Sequence, residues 1–202
     1  MTDFIRSSAL LFVLLNPFLV IIYLIDTVQT FSLKVFWQIL RRAAIISIFI
    51  FGIFAYTGDA VFAVLLQSSF ASFKIFGGIV FLIIGVQFIF RGTEAIEILR
   101  GTPEKIASAL VIPIFIGPGS LSAAIIIGQR LKDYEIIAAI ILAVLASIGT
   151  MLLLKILHDY VKPRNERIIE RYIDVAGRIA ALVIGTFSIE MILQGLRSWG
   201  IF

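Results

Sequence analysis

Residues 112–120 read IPIFIGPGS, a stretch rich in proline and glycine. Pro113, Gly117, Pro118 and Gly119 are poor helix formers, yet they lie inside one of the longest apolar runs of the chain. Proline lacks the amide donor of a helix and clashes with the preceding turn, and glycine adds backbone freedom. The stretch therefore predicts an interruption in a helix that the surrounding sequence requires to be buried.

The composition predicts an all-α membrane protein. Of the 202 residues, 60% are hydrophobic and 15% are charged, which is more apolar side chain than a water-soluble domain of this length can bury. Six runs are almost free of charge, and each can cross about 30 Å of hydrocarbon once its polar flanks snorkel to the interface. They are residues 8–25, 43–57, 75–90, 106–128, 136–154 and 179–193. We expect a single transmembrane domain, residues 1–202, with six helices.

The residue inventory narrows the classes of partner. The chain has no cysteine, so thiolate metal sites and disulfides are excluded, and its one histidine, His158, makes no metal site by itself. The net charge of +4 is best explained by basic residues that anchor helix ends, so we expect no nucleic-acid partner. We also expect no cofactor. The first run lacks a clear small-residue cleavage site, so we expect it to be retained rather than removed as a signal peptide.

The two halves of the chain resemble each other at a spacing of about 100 residues. Residues 75–85 read IFGGIVFLIIG and residues 175–185 read VAGRIAALVIG. Pro17 of the first run likewise corresponds to Pro118 of the fourth. Each half then holds three helices, and an odd number makes the second half enter the membrane from the opposite side. Inverted repeats of this kind are a recurrent plan of secondary transporters; chance similarity between Gly- and Ile-rich helices is the alternative.

Helix breaks fall at corresponding places in these repeats, which span about residues 1–100 and 101–202. Asn16-Pro17 interrupts the first helix, and Gly117-Pro118-Gly119 interrupts the fourth, each near the predicted bilayer midplane. A break frees backbone N–H and C=O groups, which persist in hydrocarbon only against protein or a wet cavity. The freed amides can hold a carboxylate, and the freed carbonyls an ammonium or a cation. The alternative is a plain proline kink that shapes packing.

Other polar residues inside the runs are few. Ser120 and Ser122 follow the second break, and each can bind a ligand or a carbonyl of its own helix. Gln87 and Glu190 occupy related positions of the two repeats. A carboxylate inside a membrane is costly and is by default a functional candidate. We therefore consider proton coupling or a polar gate at Gln87 and Glu190, with a place near the outer end of its helix as the alternative for Glu190.

Four segments resemble the MarC family of six-helix integral membrane proteins, and the resemblance covers nearly the whole chain. They are LLNPF (14–18), FKIFGGIVFLIIGVQFIFRG (73–92), VIPIFIGPGSLS (111–122) and IEMILQGL (189–196). The family includes proteins described as transporters of small neutral amino acids and is related to the LysE-type exporters. The resemblance implies a substrate site lined by the motif residues Asn16, Pro17, Phe18, Gly117, Pro118 and Gly119, with Ser120 and Ser122 beside them.

The first motif departs from the family pattern, which usually continues as Asn-Pro-x-Gly-Asn-x-Pro. Leu19, Val20 and Ile22 stand where glycine, asparagine and proline are expected. Half of the proposed polar site is therefore apolar. Either the substrate differs from that of the family or transport is lost, and the sequence leaves both open.

Three classes of function compete. The leading interpretation is a secondary transporter of a small polar solute, such as a neutral amino acid, with H⁺ or Na⁺ as the candidate coupling ion. The alternative is a non-transporting membrane protein that binds or stabilises a partner through the exposed, charged loop 155–174. We expect no enzyme, because one histidine, no cysteine and one deep carboxylate do not make a set of nucleophile, base and metal ligands.

The basic residues predict the topology of a multi-pass protein in the plasma (inner) membrane. Arg41, Arg42, Lys105, Lys162 and Arg164 fall on the side that is richer in positive charge, which the positive-inside bias places in the cytoplasm. Both termini then lie outside. A C-terminal reporter that is active only in the cytoplasm should stay silent, whereas an active reporter would reverse this topology.

Overall fold

The computed structural model describes residues 2–58, 60–64, 68–91, 102–109, 115–162 and 166–199. Almost all of these residues are helical, and no strand occurs among them, so the prediction of an all-α protein is confirmed. The helices in chain order are α1 (Thr2–Leu15), α2 (Pro17–Tyr23), α3 (Ile25–Thr30), α4 (Leu33–Thr57), α5 (Ala60–Val64), α6 (Phe70–Arg91), α7 (Pro103–Ala109), α8 (Pro118–Arg130), α9 (Asp133–Val161) and α10 (Glu166–Ser198).

Four helices in the described part of the chain are long and apolar enough to cross a bilayer. They are α4 and α9 over their whole lengths, α6 over Phe70–Gln87, and α10 over Gly177–Ser198. The other two runs predicted as spans are divided into shorter helices. The first run is shared by α1, α2 and α3, and the run at 106–128 includes parts of α7 and α8.

The outward faces of the long helices are apolar. Phe49 of α4 is 69% exposed, Leu153 of α9 is 65% exposed, and Phe90 of α6 is 82% exposed. Large apolar side chains on so many outward faces would make a water-soluble monomer aggregate. They fit a surface that is covered by lipid acyl chains.

Helices α4 and α9 form the centre of the fold and run antiparallel. The hydroxyl of Tyr56, near the end of α4, donates to the carbonyl oxygen of Asp133 at the start of α9, at 2.9 Å. At the opposite end of the pair, Lys155 Nζ donates to the carbonyl oxygen of Val28, shortly before α4 begins, at 2.6 Å. The start of α9 is stabilised by Glu135, whose carboxylate accepts the backbone N–H of Lys132 at 3.3 Å.

The buried positions of α4 and α9 correspond at a spacing of 100 residues. The shared positions are Phe36 and Ile136, Ile39 and Ala139, Leu40 and Ile140, Ala43 and Ala143, Ala44 and Val144, Ser47 and Ser147, Phe51 and Met151, and Ala55 and Lys155. The two helices therefore turn equivalent faces toward the core, even where the side chains differ in size and charge.

The packing of the shorter helices is reciprocal. Helices α1 and α2 pack on α9, while α7 and α8 pack on α4. Helix α2 also touches α10, and α8 touches α6. Each divided segment is thus held by the long helices of the other half of the chain.

Helices α6 and α10 form a second antiparallel pair whose contact depends on glycine. A Cβ atom added to Gly85 would lie 3.3 Å from both the Ala181 carbonyl oxygen and the Gly185 amide nitrogen. Near the other end, a Cβ atom on Gly195 would lie 2.9 Å from the Ala71 carbonyl oxygen. Without side chains at these positions the two backbones approach closely, as small residues permit in membrane helices.

Among the glycines that the structure describes, Gly128, near the end of α8, makes the tightest contact with another backbone. A Cβ atom added there would lie 1.7 Å from the carbonyl oxygen of Ala55 on α4, a distance that only movement of the backbone can relieve. We expect Gly128→Ala to lower the apparent melting temperature in detergent, with a cost of about 1–3 kcal/mol as for other overpacked sites.

The matched control is Gly149→Ala, because nothing lies within 4 Å of a Cβ atom at Gly149. This change should be neutral or should stabilise α9 slightly, by about 0.5–1 kcal/mol, through helix propensity. Equal melting temperatures for the two variants, measured by heating and size-exclusion chromatography, would contradict the α4–α8 packing described here.

Candidate functional site

The first break is confined to a single residue. Asn16 separates α1 from α2 and has a φ of +43°, a left-handed conformation that asparagine tolerates better than most residues. Its N–H donates to the Phe12 carbonyl and its own carbonyl accepts from the Val20 N–H, both at 3.1 Å. Pro17 has no N–H, so the carbonyl of Val13 lacks the donor that a helix would supply four residues later. The Val13 carbonyl is therefore one freed acceptor at this break.

The second break is built around the hydroxyl of Ser120. Gly117 is extended, with φ −91° and ψ 165°, and α8 begins at Pro118. Ser120 Oγ accepts the Gly117 N–H at 3.1 Å. It also lies 2.5 Å from the Phe115 carbonyl oxygen and 2.9 Å from the Gly117 carbonyl oxygen, and its single proton can serve only one of them at a time. The hydroxyl of Ser120 therefore occupies backbone groups that the break would otherwise leave free.

Both serines of the predicted site bond to nearby backbone. Ser122 Oγ donates to the Pro118 carbonyl oxygen of its own helix at 2.8 Å. The Gly117 amide, which the sequence offered for a ligand carboxylate, is occupied by Ser120. The amides of Gly119 and Ser120 lie in the first turn of α8, where no intrahelical carbonyl is available to them. They are the donors that the second break leaves for a ligand.

The second break contacts both α6 and α1. A Cβ atom added to Gly77 of α6 would lie 2.5 Å from Pro118 Cγ, so the proline ring rests directly on that glycine. A Cβ atom on Gly119 would lie 3.7 Å from Leu14 Cδ2 of α1. Since Leu14 precedes Asn16 by two residues, the α1–α8 contact joins the neighbourhoods of the two breaks.

The first motif has a buried and an exposed side. Pro17 is buried, and Val20, one of the apolar departures from the family pattern, is only 1% exposed within the core. Phe18 is 58% exposed and points away from that core. The side chains of Leu19 and Ile22 lie outside what the structure describes. Val20 is thus a packing residue, which explains why an apolar side chain stands there.

Gln87 and Glu190 lie on exposed faces of α6 and α10, whereas Pro118 and Ser120 are buried. Glu190 Oε1 accepts a hydrogen bond from Gln194 Nε2 at 3.0 Å within α10. Proton coupling or gating at these two residues stays a prediction. Within the described ranges, no group of His, Asp and Glu side chains is arranged to hold a metal ion.

The sequence interpretation placed Lys155 at the start of a charged loop, and this is wrong. Helix α9 continues to Val161, and α10 begins at Glu166. The side chain of Lys155 is only 3% exposed, and its ammonium group bonds to the Val28 carbonyl and to Asp159 Oδ1, both at 2.6 Å. The signal was present in the sequence, because a lysine and an aspartate four residues apart face each other on a helix.

Comparison with known proteins identifies the family. A sequence model described as MarC family integral membrane protein matches residues 1–200. A UPF0056 membrane protein of Archaeoglobus fulgidus is 27% identical, with 96% of this chain and 92% of the relative covered. A UPF0056 membrane protein of Methanocaldococcus jannaschii is also 27% identical, with 96% of each covered. A third, from Aquifex aeolicus, is 23% identical over 96% of this chain and 92% of its own length.

No solved structure gave a significant match. The family match covers residues 1–200, which include both helix breaks and the long helices that hold them. This chain therefore belongs to the MarC family of integral membrane proteins.

Proposed function

We propose that this protein is a secondary transporter of a small polar solute, with neutral amino acids as the first class to test. The observation that most directly supports this proposal is the placement of two helix breaks at corresponding positions, Asn16-Pro17 and Gly117-Pro118. Each lies on a divided segment that packs against the long helix of the other half. Inverted-repeat transporters bind substrate at such discontinuous helices, where half-helix ends face the solute.

We further propose that the chain consists of two inverted repeats of three spans each, which rock about the breaks. The matched burial of α4 and α9 and the reciprocal packing of the divided segments support this arrangement. So do the antiparallel directions of α4 with α9 and of α6 with α10. Gly85 meets Gly185 where the α6 and α10 backbones cross, which is the contact that a two-fold axis between the repeats would produce.

The chemistry of the breaks favours a small zwitterion. The first-turn amides of Gly119 and Ser120, at the positive end of the α8 dipole, would hold a carboxylate. The Val13 carbonyl, which has no helical donor at Pro17, would hold an ammonium group. Among the described residues of the two breaks none is charged, so a solute with net charge would be buried without a counterion at high cost. In a neutral zwitterion the two opposite charges compensate each other, so its burial needs no charged side chain from the protein.

The partner-binding alternative loses its main feature. It relied on residues 155–174 as an exposed docking loop, but α9 extends to Val161 and α10 begins at Glu166, so most of that segment is helical. We therefore retain transport as the proposal and assign the protein no chemical reaction.

The test is a ligand screen followed by a flux measurement. Purified protein is heated with each neutral amino acid, and a ligand at 100 times its Kd should stabilise the folded state by about 2.7 kcal/mol, which appears as a raised melting temperature. Amino acids that raise the melting temperature are then tested for uptake into liposomes that contain the protein. An imposed H⁺ or Na⁺ gradient identifies the coupling ion. If no amino acid shifts the melting temperature or crosses the membrane, the proposal fails.

A matched pair of variants separates binding from stability. Gly119→Ala adds a methyl group beside the first-turn amides of α8, in a space where Leu14 Cδ2 lies at an ordinary contact distance of 3.7 Å. We expect it to fold normally but to weaken ligand binding by about tenfold, as one misplaced methyl group in a binding site does. Gly149→Ala, in open space on α9, should change neither property. Equal affinities for the two variants would remove the second break from the site.

A further inference from the structure

The most unusual polar group in the described core is the ammonium group of Lys155. Among the charged residues whose side chains the structure describes, Lys155 is the one that is buried, at 3% exposure. It donates to the Val28 carbonyl and to Asp159 Oδ1. Buried lysines persist only when such partners compensate the lost hydration. The proposed binding of a zwitterion at the breaks makes no use of this group.

Lys155 connects the end of the divided first segment to the central helix of the other half. Val28 belongs to the last turn of α3, whose C-terminal carbonyls have no helical donors, and the ammonium group supplies one. The bond therefore ties α3 to α9 at one end of the molecule. We call this place the Lys155 end, defined by Lys155 and Val28.

The opposite end offers a direct comparison, because the same positions recur 100 residues away. Ala55 occupies the position equivalent to Lys155, and Gly128 occupies the position equivalent to Val28. There the two backbones touch without any side chain between them, since a Cβ atom on Gly128 would lie 1.7 Å from the Ala55 carbonyl oxygen. We call this place the Gly128 end. The contact at the Gly128 end is thus made by two backbones, whereas the contact at the Lys155 end is made by a flexible, charged side chain.

Unpaired polar atoms beside Lys155 favour the entry of water, which makes its hydrogen bonds easier to break. Two buried polar atoms lie beside this cluster, Thr27 Oγ1 and His158 Nε2, and neither has a hydrogen-bond partner among the described residues. Thr27 directly precedes Val28 in the chain, and His158 directly precedes Asp159. Such groups cost free energy in a dry contact and recover it when water enters. Asp159 is 43% exposed, so water already reaches its side of the cluster. Hydration of the Lys155 end therefore compensates both the released ammonium group and the two unpaired groups.

We propose that Lys155 is the latch of a gate: its bond to Val28 closes the Lys155 end of the transport path, and its release lets water and solute enter between α3 and α9. The inference rests on the proposed transport function and adds a residue and a location to it. By the topology derived from the basic residues, this gate faces the cytoplasm.

Thiol accessibility tests the latch, because the native chain has no cysteine. Thr27→Cys reports on the Lys155 end, and Ile127→Cys reports on the equivalent position of the Gly128 end; both positions are buried. Each protein is placed in lipid nanodiscs, and its rate of reaction with a membrane-impermeant methanethiosulfonate is measured with Lys155 intact and in the Lys155→Ala background.

We expect Lys155→Ala to raise the labelling rate at position 27 by about tenfold or more, since loss of a buried, hydrogen-bonded charge shifts such a closed state strongly. The rate at position 127 should stay within about twofold, because sites this far apart are usually independent. Lys155→Arg, which keeps the charge and the reach, should restore slow labelling at position 27. An unchanged rate at position 27 overturns the latch, and an equal rise at both positions overturns it as well, because it shows general loosening.

A milder variant covers the case in which Lys155→Ala does not fold. Asp159→Asn weakens one of the two acceptors at an exposed position, and we expect it to raise labelling at position 27 alone; no rise would reject the proposal. The flux assay is independent of these rates. Transport with no selective change in labelling refutes the gate alone, whereas selective labelling with no flux of any solute refutes the transport function.

Discussion

The constraint on which this structure depends is that a helix inside a bilayer can be interrupted only where the freed backbone groups find partners. The two interruptions meet this requirement differently. At the first, Asn16 donates its N–H to the Phe12 carbonyl and accepts from the Val20 N–H, while the Val13 carbonyl has no helical donor because Pro17 lacks an N–H. At the second, Ser120 accepts the Gly117 amide and lies beside two carbonyls. Both breaks are held inside protein, against α9 on one side and α4 on the other.

The reciprocal packing couples the two breaks to any motion of the long helices. Because each divided segment rests on the long helix of the other half, a tilt of one half relative to the other moves both breaks together. Helices α6 and α10, which contact each other through Gly85 and Gly185, can act as a common support for such a tilt. The contact between Gly128 and Ala55 resists such motion, because two backbones meet there with no side chain between them to yield.

Much of the helical content was predictable from the sequence, because apolar runs of sufficient length in a bilayer must be helices. The breaks were predictable because Pro17 and Pro118 remove donors wherever they stand. One feature was missed, and another was left open. Lys155 was assigned to a loop, because a hydropathy pattern cannot show that α3 supplies a carbonyl to an otherwise costly charge. The bonding of Ser120 to Gly117 and Phe115 was one of two open alternatives, because only the local dihedral angles decide whether a serine closes its own break.

The departures from exact repetition are as informative as the repeat. A symmetric protein would have equal breaks and equal ends, and its two access paths would open with equal ease. Here Val20 fills the core beside the first break, whereas Ser120 organises the second. Likewise Lys155 and Val28 stand where the other half has Ala55 and Gly128. In the proposed transporter, matched buried faces on α4 and α9 would give the two halves a common scaffold for motion. The differences at these few positions would then place the ligand donors on α8 and the releasable contact on α9, so that both polar groups lie in the second half of the chain.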